Sequence, residues 1–453
     1  MKQIQNATIK IANYALVTCA SMVFCQYSLA AIPIQHWTQP SGAKIYLVES
    51  PAIAMLDVQI DFDGGGRRDP LEKAGLASVT AGLLSSGVAA RSGAPALDEN
   101  ALGEAWADLG AQFGSSAGAD RMSFSLRTLT EPDLLKQAVE LAARQIGEPS
   151  FPEKIWLRDR QKIIASLKES YTRPASVAGR AYAKAVYSGH PYGYDATEET
   201  LGRISTVDMR AFYTSAVAVC RARISMVGAV TRAQADGIAL KLLARLPQTG
   251  CSSLAALPPV PDVPALAQPV EQVIKFDAAQ AQVLLGQPGY KRSDPDFFTM
   301  LVGNYILGGG GFVSRLSSEV REKRGLTYGV SSSFSPGLHA GAFTVGLQTR
   351  PDQAAQALEL TRKVVRDFVT DGPTEAELKG AKDNLTGGFA LLIDSNRKLL
   401  GNVANIAWND LPLNYLDTWT EQINKVSVAE IKAAFSRKLQ PEKMVTIILG
   451  GTS

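Results

Sequence analysis

The sequence predicts an α+β fold made twice over, and three observations carry the prediction. The first is local. Leu56, Val58, Ile60 and Phe62 alternate with Asp57, Gln59 and Asp61, a period of two that turns one face of a strand toward a core. Helical segments then follow in blocks, not one per strand, which argues for segregated helices and antiparallel pairing. The second is a repeat. Ser205-Thr206-Val207-Asp208-Met209-Arg210-Ala211 parallels Ser427-Val428-Ala429-Glu430-Ile431-Lys432-Ala433, an offset of 222 residues (205 to 427). The same offset carries Met226-Val227-Gly228 onto Ile448-Leu449-Gly450, and Leu126 and Thr128 meet Leu347 and Thr349 one residue short of it. Solenoid units run about 20–50 residues, so a period this long marks a duplicated domain. The third is the join. Pro258, Pro259, Pro261, Pro264 and Pro269 make a stiff, extended connector. The chain therefore divides into a leader at 1–30, a first domain at 31–252, a linker at 253–269 and a second domain at 270–453.

Taken in order, Ala43 to Val48 reads as a strand, followed by the Leu56–Phe62 strand, which Gly64-Gly65-Gly66 ends. Helices are expected at Ala74–Leu84 and Leu97–Leu109, strands at Ala111–Ser115 and Met122–Leu129. Helices then fill Pro132–Ile146, Pro152–Ser170 and Ser176–Val186. Ser205 with Asp208 is a cap pair that opens another helix. Ile224-Ser225-Met226-Val227 is a strand, and a helix runs roughly from Thr231 to Arg245.

The leader is not part of the fold. Lys2 and Lys10 precede a mostly apolar run from Ile11 to Phe24, and Ser28-Leu29-Ala30 fits a small-residue cleavage site before Ala31. As a membrane anchor the run is short and is broken by Asn13, Thr18 and Gln26. The expectation is a cleaved signal peptide and a soluble exported protein, in a compartment such as the bacterial periplasm. Cys19 and Cys25 leave with the leader, and Cys220 and Cys251 remain where disulfides persist. The helix after Cys220 returns toward the start of its strand, so the two thiols are placed for a disulfide; the alternative is two separate buried thiols. With 46% hydrophobic and 20% charged residues the composition is ordinary for globular domains. A net charge of +3 is too small to argue for nucleic acid or an anionic membrane as partner, and neither nucleic acid nor stable membrane insertion is expected.

The most informative stretch is Gly308 to Val330, GGGGFVSRLSSEVREKRGLTYGV. Gly308, Gly309, Gly310 and Gly311 permit close backbone approach and positive φ. Val313, Leu316 and Val320 stand at helical spacing, and Lys323, Arg324 and Gly325 read as a helix C-terminus. Leu326, Tyr328 and Val330 alternate with Thr327 and Gly329 as a strand would. Arg321 and Tyr328 flank that corner, a guanidinium and a phenol, both donors suited to a carbonyl or an oxyanion.

This stretch resembles the second domain of the pitrilysin/insulinase-type zinc peptidases, the inverzincins. It is most similar to the two-subunit branch that includes mitochondrial processing peptidase, and the resemblance covers nearly all of the chain after the leader. It implies two homologous α+β domains forming half of a clamshell chamber. It also implies that Arg321 and Tyr328 hold the substrate and its developing oxyanion, with Gly308–Gly311 beside an extended peptide.

The family's catalytic subunits carry H-x-x-E-H on a helix, two His for zinc and a Glu as general base. Alignment on Gly75-Leu76-Ala77 puts Ser78 and Gly82 at the His positions and Ala81 at the Glu. All three chemical groups are gone. The remaining His36, His190 and His339 contain no pair at ligand spacing, and neither Asp159 nor Glu169 aligns cleanly with the family's further glutamate ligand. No G-x-S-x-G elbow with a matching His, P-loop or dinucleotide fingerprint is present. The resemblance thus implies a chain without metal, paired with a homologous subunit that carries H-x-x-E-H and the zinc. Two rival readings are an inactive binding or assembly protein on the same fold and a self-sufficient hydrolase of another mechanism. The retained Arg/Tyr pair speaks against the first, and the missing ligands and bases speak against the second.

Overall fold

A computed structural model describes residues 32–450, apart from 92 and 249, with Cys251 by its backbone alone. The leader and its cleavage site lie outside these residues.

The strands form two large sheets and one two-stranded sheet. They are β1 (Gln35–Thr38), β2 (Lys44–Glu49), β3 (Met55–Phe62), β4 (Gly87–Val88), β5 (Leu97–Asp98), β6 (Gln112–Ala117), β7 (Met122–Leu129) and β8 (Arg223–Gly228) in the first half. In the second half come β9 (Val270–Ile274), β10 (Ala281–Pro288), β11 (Val330–Phe334), β12 (Ala342–Thr349) and β13 (Val445–Leu449). β4 pairs with β5 in the small sheet, while the first large sheet runs β1-β2-β8-β3-β7-β6 and the second β11-β12-β10-β13-β9. Read from β2 in one and β9 in the other, the two orders match strand for strand. Each holds one parallel pair, β2 with β8 and β9 with β13. The duplication extends to helix caps: Ser205 opens Thr206–Ala216 and Ser427 opens Val428–Lys438, each in a reciprocal capping box.

One expected helix is shorter than its pattern. Asp98 accepts the Ala101 N–H as N-cap, so the helix begins at Glu99, and Leu97–Asp98 pairs instead with Gly87–Val88.

The alternation in β3 works as read. Leu56, Val58, Ile60 and Phe62 are buried in the first core with Phe124, Trp156 and Ile224. The other face of that sheet is also covered, by the helix Asn396–Trp408, which comes from the second half of the chain. Asp57 and Asp61 are buried on that face. Asp61 is held by Arg121 at 3.0 Å and by donation from Ser123 Oγ at 2.5 Å. Burial still pushes its carboxyl above the usual range, against the pull of Arg121. Arg223 donates to the carbonyls of Ala407 and Trp408, both at 2.5 Å, and pairs with Asp410 at 3.0 Å. A cation is thus fixed at the negative end of the visiting helix.

The exchange is reciprocal. The helix Pro174–Tyr187 packs on β10 and β13 of the second sheet. Ala178, Tyr182 and Val186 join Ala342, Val445, Ile447 and Leu449 in one apolar cluster. Tyr182 Oη donates to the Phe343 carbonyl at 2.6 Å, and Tyr187 Oη accepts from the Ala342 N–H at 3.0 Å. Gly286 makes room: a Cβ there would lie 2.1 Å from the Tyr182 hydroxyl. From Ile34 onward the chain is accordingly one compact unit.

The proline-rich connector carries no helix or strand over 255–266. It is nonetheless fastened. Arg68 donates to the Pro258 carbonyl at 2.9 Å, His190 Nε2 bonds the Pro261 carbonyl at 3.0 Å, and Asp262 pairs with Lys291 at 2.7 Å.

Candidate functional site

The helix Phe297–Asn304 runs on through a π turn at Tyr305–Gly309, then a 3-10 turn at Gly311–Val313, then a second π turn at Ser317–Glu322. A π turn closes i to i+5, so simple helical spacing misleads here. Leu316 and Val320 are buried as expected, but Val313 is 77% exposed because the chain is still outside the helix there.

The glycine run is used mostly by its own chain. A Cβ at Gly308 would lie 2.5 Å from the Ser332 nitrogen, one at Gly309 2.8 Å from Asn304 Nδ2, and one at Gly310 2.7 Å from the Tyr305 carbonyl. Asn304 and Ser332 lock this approach with two side-chain bonds of 3.1 and 2.7 Å. Gly311 alone has open space around it, and its φ of +64° is the conformation glycine favours.

Arg321 lies in the second π turn. Its guanidinium stands over the Phe312 ring at 4.3 Å from the centroid. Gly325, at φ +63°, ends the helix. Its N–H reaches the Arg321 carbonyl at 2.8 Å, and the Leu326 N–H reaches the Val320 carbonyl at 3.1 Å. This is the glycine cap expected from sequence, widened by one residue to suit the π turn.

The strand expected through Leu326–Val330 begins only at Val330. Thr327 causes this. Its hydroxyl bonds the Gln348 carbonyl at 2.6 Å and accepts the Gly329 N–H at 3.0 Å, which buries Thr327 beside Leu326 and breaks the alternation. Tyr328 is thereby turned out and is 86% exposed. No hydrogen bond or ion pair joins Arg321 to Tyr328, or engages either side chain, among the described residues. The Tyr328 phenol is exposed, and Arg321 is half-buried with its guanidinium against the Phe312 ring.

The other candidate is the helix Leu76–Leu83, which carries the positions that the resemblance matched to the zinc motif. Asp69 caps it, accepting from the Gly75 N–H at 2.8 Å and the Ala77 N–H at 2.9 Å. Burial nevertheless raises the Asp69 carboxyl to about 6, outweighing those donors. Ser78 and Gly82 are exposed one turn apart, as two ligand positions should be. Ala81 is fully buried, and its carbonyl accepts from Ser115 Oγ at 2.8 Å. A hydroxyl, a hydrogen and a buried methyl do not fit zinc. Among the described residues no group of three or more His, Cys, Asp or Glu side chains is placed to hold a metal ion.

Comparison with known proteins decides the family. A family model described as "Peptidase M16 inactive domain" matches residues 203–385. The crystal structure of a peptidase M16 inactive domain from Pseudomonas fluorescens is 33% identical, with a TM-score of 0.86, over 93% of this chain and 98% of that one. This chain is a member of the peptidase M16 family. A curated relative, the "non-peptidase homolog YmxG" of Helicobacter pylori, is 26% identical over 92% of this chain and 93% of its own length. The periplasmic protease PqqL from Escherichia coli shares the fold, with a TM-score of 0.77 at 18% identity, and this chain covers 45% of it. Another relative, of Bacillus subtilis, is 22% identical over 88% of this chain and 93% of its own length and is named an uncharacterized zinc protease.

Two features of this M16 chain escaped sequence reasoning. His190 and His339, which have no ligand spacing, meet across the two halves with ring centroids 5.1 Å apart. His190 Nδ1 accepts the Tyr192 N–H at 3.1 Å and Nε2 bonds Pro261, so both nitrogens are occupied. His339 Nδ1 lies 3.2 Å from Asp262. Burial lowers the His190 pKa, in keeping with a neutral ring that fastens the linker. The second feature is Phe312, 68% exposed, for which the helical pattern offered no role. The signal available was its place between a glycine run and an arginine. Cys220 is disulfide-bonded, and the Cys251 side chain lies outside the described residues. Among the described residues no helix is long and apolar enough to cross a membrane.

Proposed function

We propose that this chain is the zinc-less subunit of a two-chain M16 peptidase. Its partner is a homologous subunit that carries H-x-x-E-H, and the two enclose an extended peptide. The partner supplies the zinc, the activated water and the general base. Arg321 and Tyr328 donate in trans to a peptide carbonyl and to the oxyanion that develops on it, with Gly311 giving the peptide room. One observation carries the reading: a guanidinium and a phenol without hydrogen-bond or ion-pair partners among the described residues, on a tightly capped corner, in a chain whose helix at the place of the zinc motif carries no ligand side chain. Donors fixed before reaction need little reorganisation as charge develops.

Export supports the pairing compartment, through the Lys-flanked leader and the likeness in fold to a protease named as periplasmic. A Cys220–Cys251 bond is part of the same reading. A second reading, an inactive binding protein, is favoured by the relative named as a non-peptidase homolog.

The test is co-expression with an H-x-x-E-H sibling. The chain alone should hold no stoichiometric zinc and cleave no peptide, and the mixed complex should do both. Tyr328→Phe, which removes one hydroxyl, should leave the complex intact and lower kcat by about 10²–10³-fold. An unchanged kcat would leave the binding-protein reading ahead.

A further inference from the structure

We infer that Phe312 is the platform that aims Arg321. This rests on the proposal that Arg321 faces the peptide, and it adds a residue that neither motif nor family description assigns.

The argument begins with cost. Phe312 leaves an aromatic ring 68% exposed on a loop, where it fills no core. Among the described residues its one aromatic or cation contact is the Arg321 guanidinium at 4.3 Å. The turn that carries it is not loose. Ser314 is fully buried, and both its N–H and its hydroxyl donate to the Gly311 carbonyl, at 3.1 and 2.7 Å. The same Ser314 receives the Ser318 N–H on its carbonyl at 2.9 Å and the Ser317 N–H on its hydroxyl at 3.4 Å. One buried serine therefore ties the turn bearing the ring to the helix bearing the guanidinium.

The geometry suits a donor that must stay unspent. A carboxylate partner would consume the N–H groups that a peptide carbonyl needs. A ring covers only the flat face of the guanidinium and leaves its five edge donors free. It also narrows the rotamers of a long side chain before the peptide arrives, so less freedom is lost on binding. Lysine has no flat face to stack, so Arg321→Lys should behave like loss of the platform.

The experiment uses the heterodimer with the zinc-bearing sibling. Phe312→Leu, Phe312→Tyr, Arg321→Gln and the Phe312→Leu/Arg321→Gln double variant are compared by kcat and KM. Phe312→Leu should raise KM about two- to fivefold, the scale of an exposed cation–π contact, with kcat little changed. Phe312→Tyr should keep the wild-type KM. In the Arg321→Gln background Phe312→Leu should add nothing. If Arg321→Gln impairs the complex while Phe312→Leu does not, or if the two effects simply multiply, the platform fails and the role of Arg321 stands. If neither variant changes KM or kcat, both fail together.

Discussion

At the scale of single residues, identity and geometry separate. Arg321 and Tyr328 were singled out through the family resemblance, because an arginine near a tyrosine is by itself usually a surface ion pair or a strand residue. The local backbone was not legible, because alternation predicted a strand through Leu326–Val330 and the Thr327 hydroxyl breaks it, leaving Tyr328 exposed. Glycines divide the same way. Gly82 has nothing within 4 Å of an added Cβ and lies in a helix. Gly82→Ala should therefore stabilise the protein by roughly 0.5–1 kcal/mol from helix propensity, measured by urea unfolding. Gly308→Ala should destabilise by about 1–3 kcal/mol, because its Cβ would meet the backbone of Ser332. The lost metal motif is likewise not three independent letters. Ser78→His with Gly82→His places imidazoles on an exposed face and should keep the fold. Adding Ala81→Glu forces a carboxylate into a fully buried position and should cost more than about 2 kcal/mol. Thermal melts of the double and triple variants check this, and equal midpoints would contradict it.

At the scale of elements, caps were the most readable signals and irregular turns the least. Ser205 with Asp208 and Gly325 after Arg324 act as read, since each satisfies backbone groups that any helix end leaves open. The π turns around the glycines left no periodic trace, because each inserts a residue that the neighbouring contacts require and the pattern cannot announce. The cap on Leu76–Leu83 makes a pH prediction. Burial pushes the Asp69 carboxyl up to about 6 in the folded protein, above the 3.8 of a free aspartate. The folded state then binds the proton more tightly than the unfolded one between those values. The stability this group contributes is complete below 3.8 and is lost as the pH rises through about 6. Relative to Asp69→Asn, the wild type should gain on the order of 3 kcal/mol between pH 7 and pH 3.5. Carboxyl NMR should place the Asp69 midpoint near 6, and a midpoint below 4 would contradict the burial argument.

At the scale of the molecule, the repeat announced two matching sheets, and the matching strand orders bear out the duplication. The exchange of helices was not legible. Pro174–Tyr187 and Asn396–Trp408 have sequences that suit any apolar sheet face, and nothing in a linear pattern says whose. The exchange predicts that the halves are energetically one. Calorimetry of the chain from residue 34 should give a single unfolding transition. Residues 34–252 or 270–450 expressed alone should not fold, since each would carry a sheet with one face stripped. Two separated transitions, or a folded half with dispersed NMR signals, would contradict this. Tyr182→Phe, which leaves the buried Phe343 carbonyl without its 2.6 Å donor, should lower that one transition by about 1–3 kcal/mol.

The exchanged helices also set a clock. The last strand of the first sheet ends at Gly228, yet the helix that closes that sheet is finished only at Trp408. When the chain emerges N-terminus first, the sheet stands half-covered until residue 408 has followed it, with Asp57 and Asp61 bare to water. Those carboxylates are poorly placed in the finished protein, where burial raises both pKa values. During the wait they are an asset, because a charged face neither sticks to its neighbours nor seeds edge-to-edge growth. A burden on the mature molecule thus doubles as protection for the nascent one.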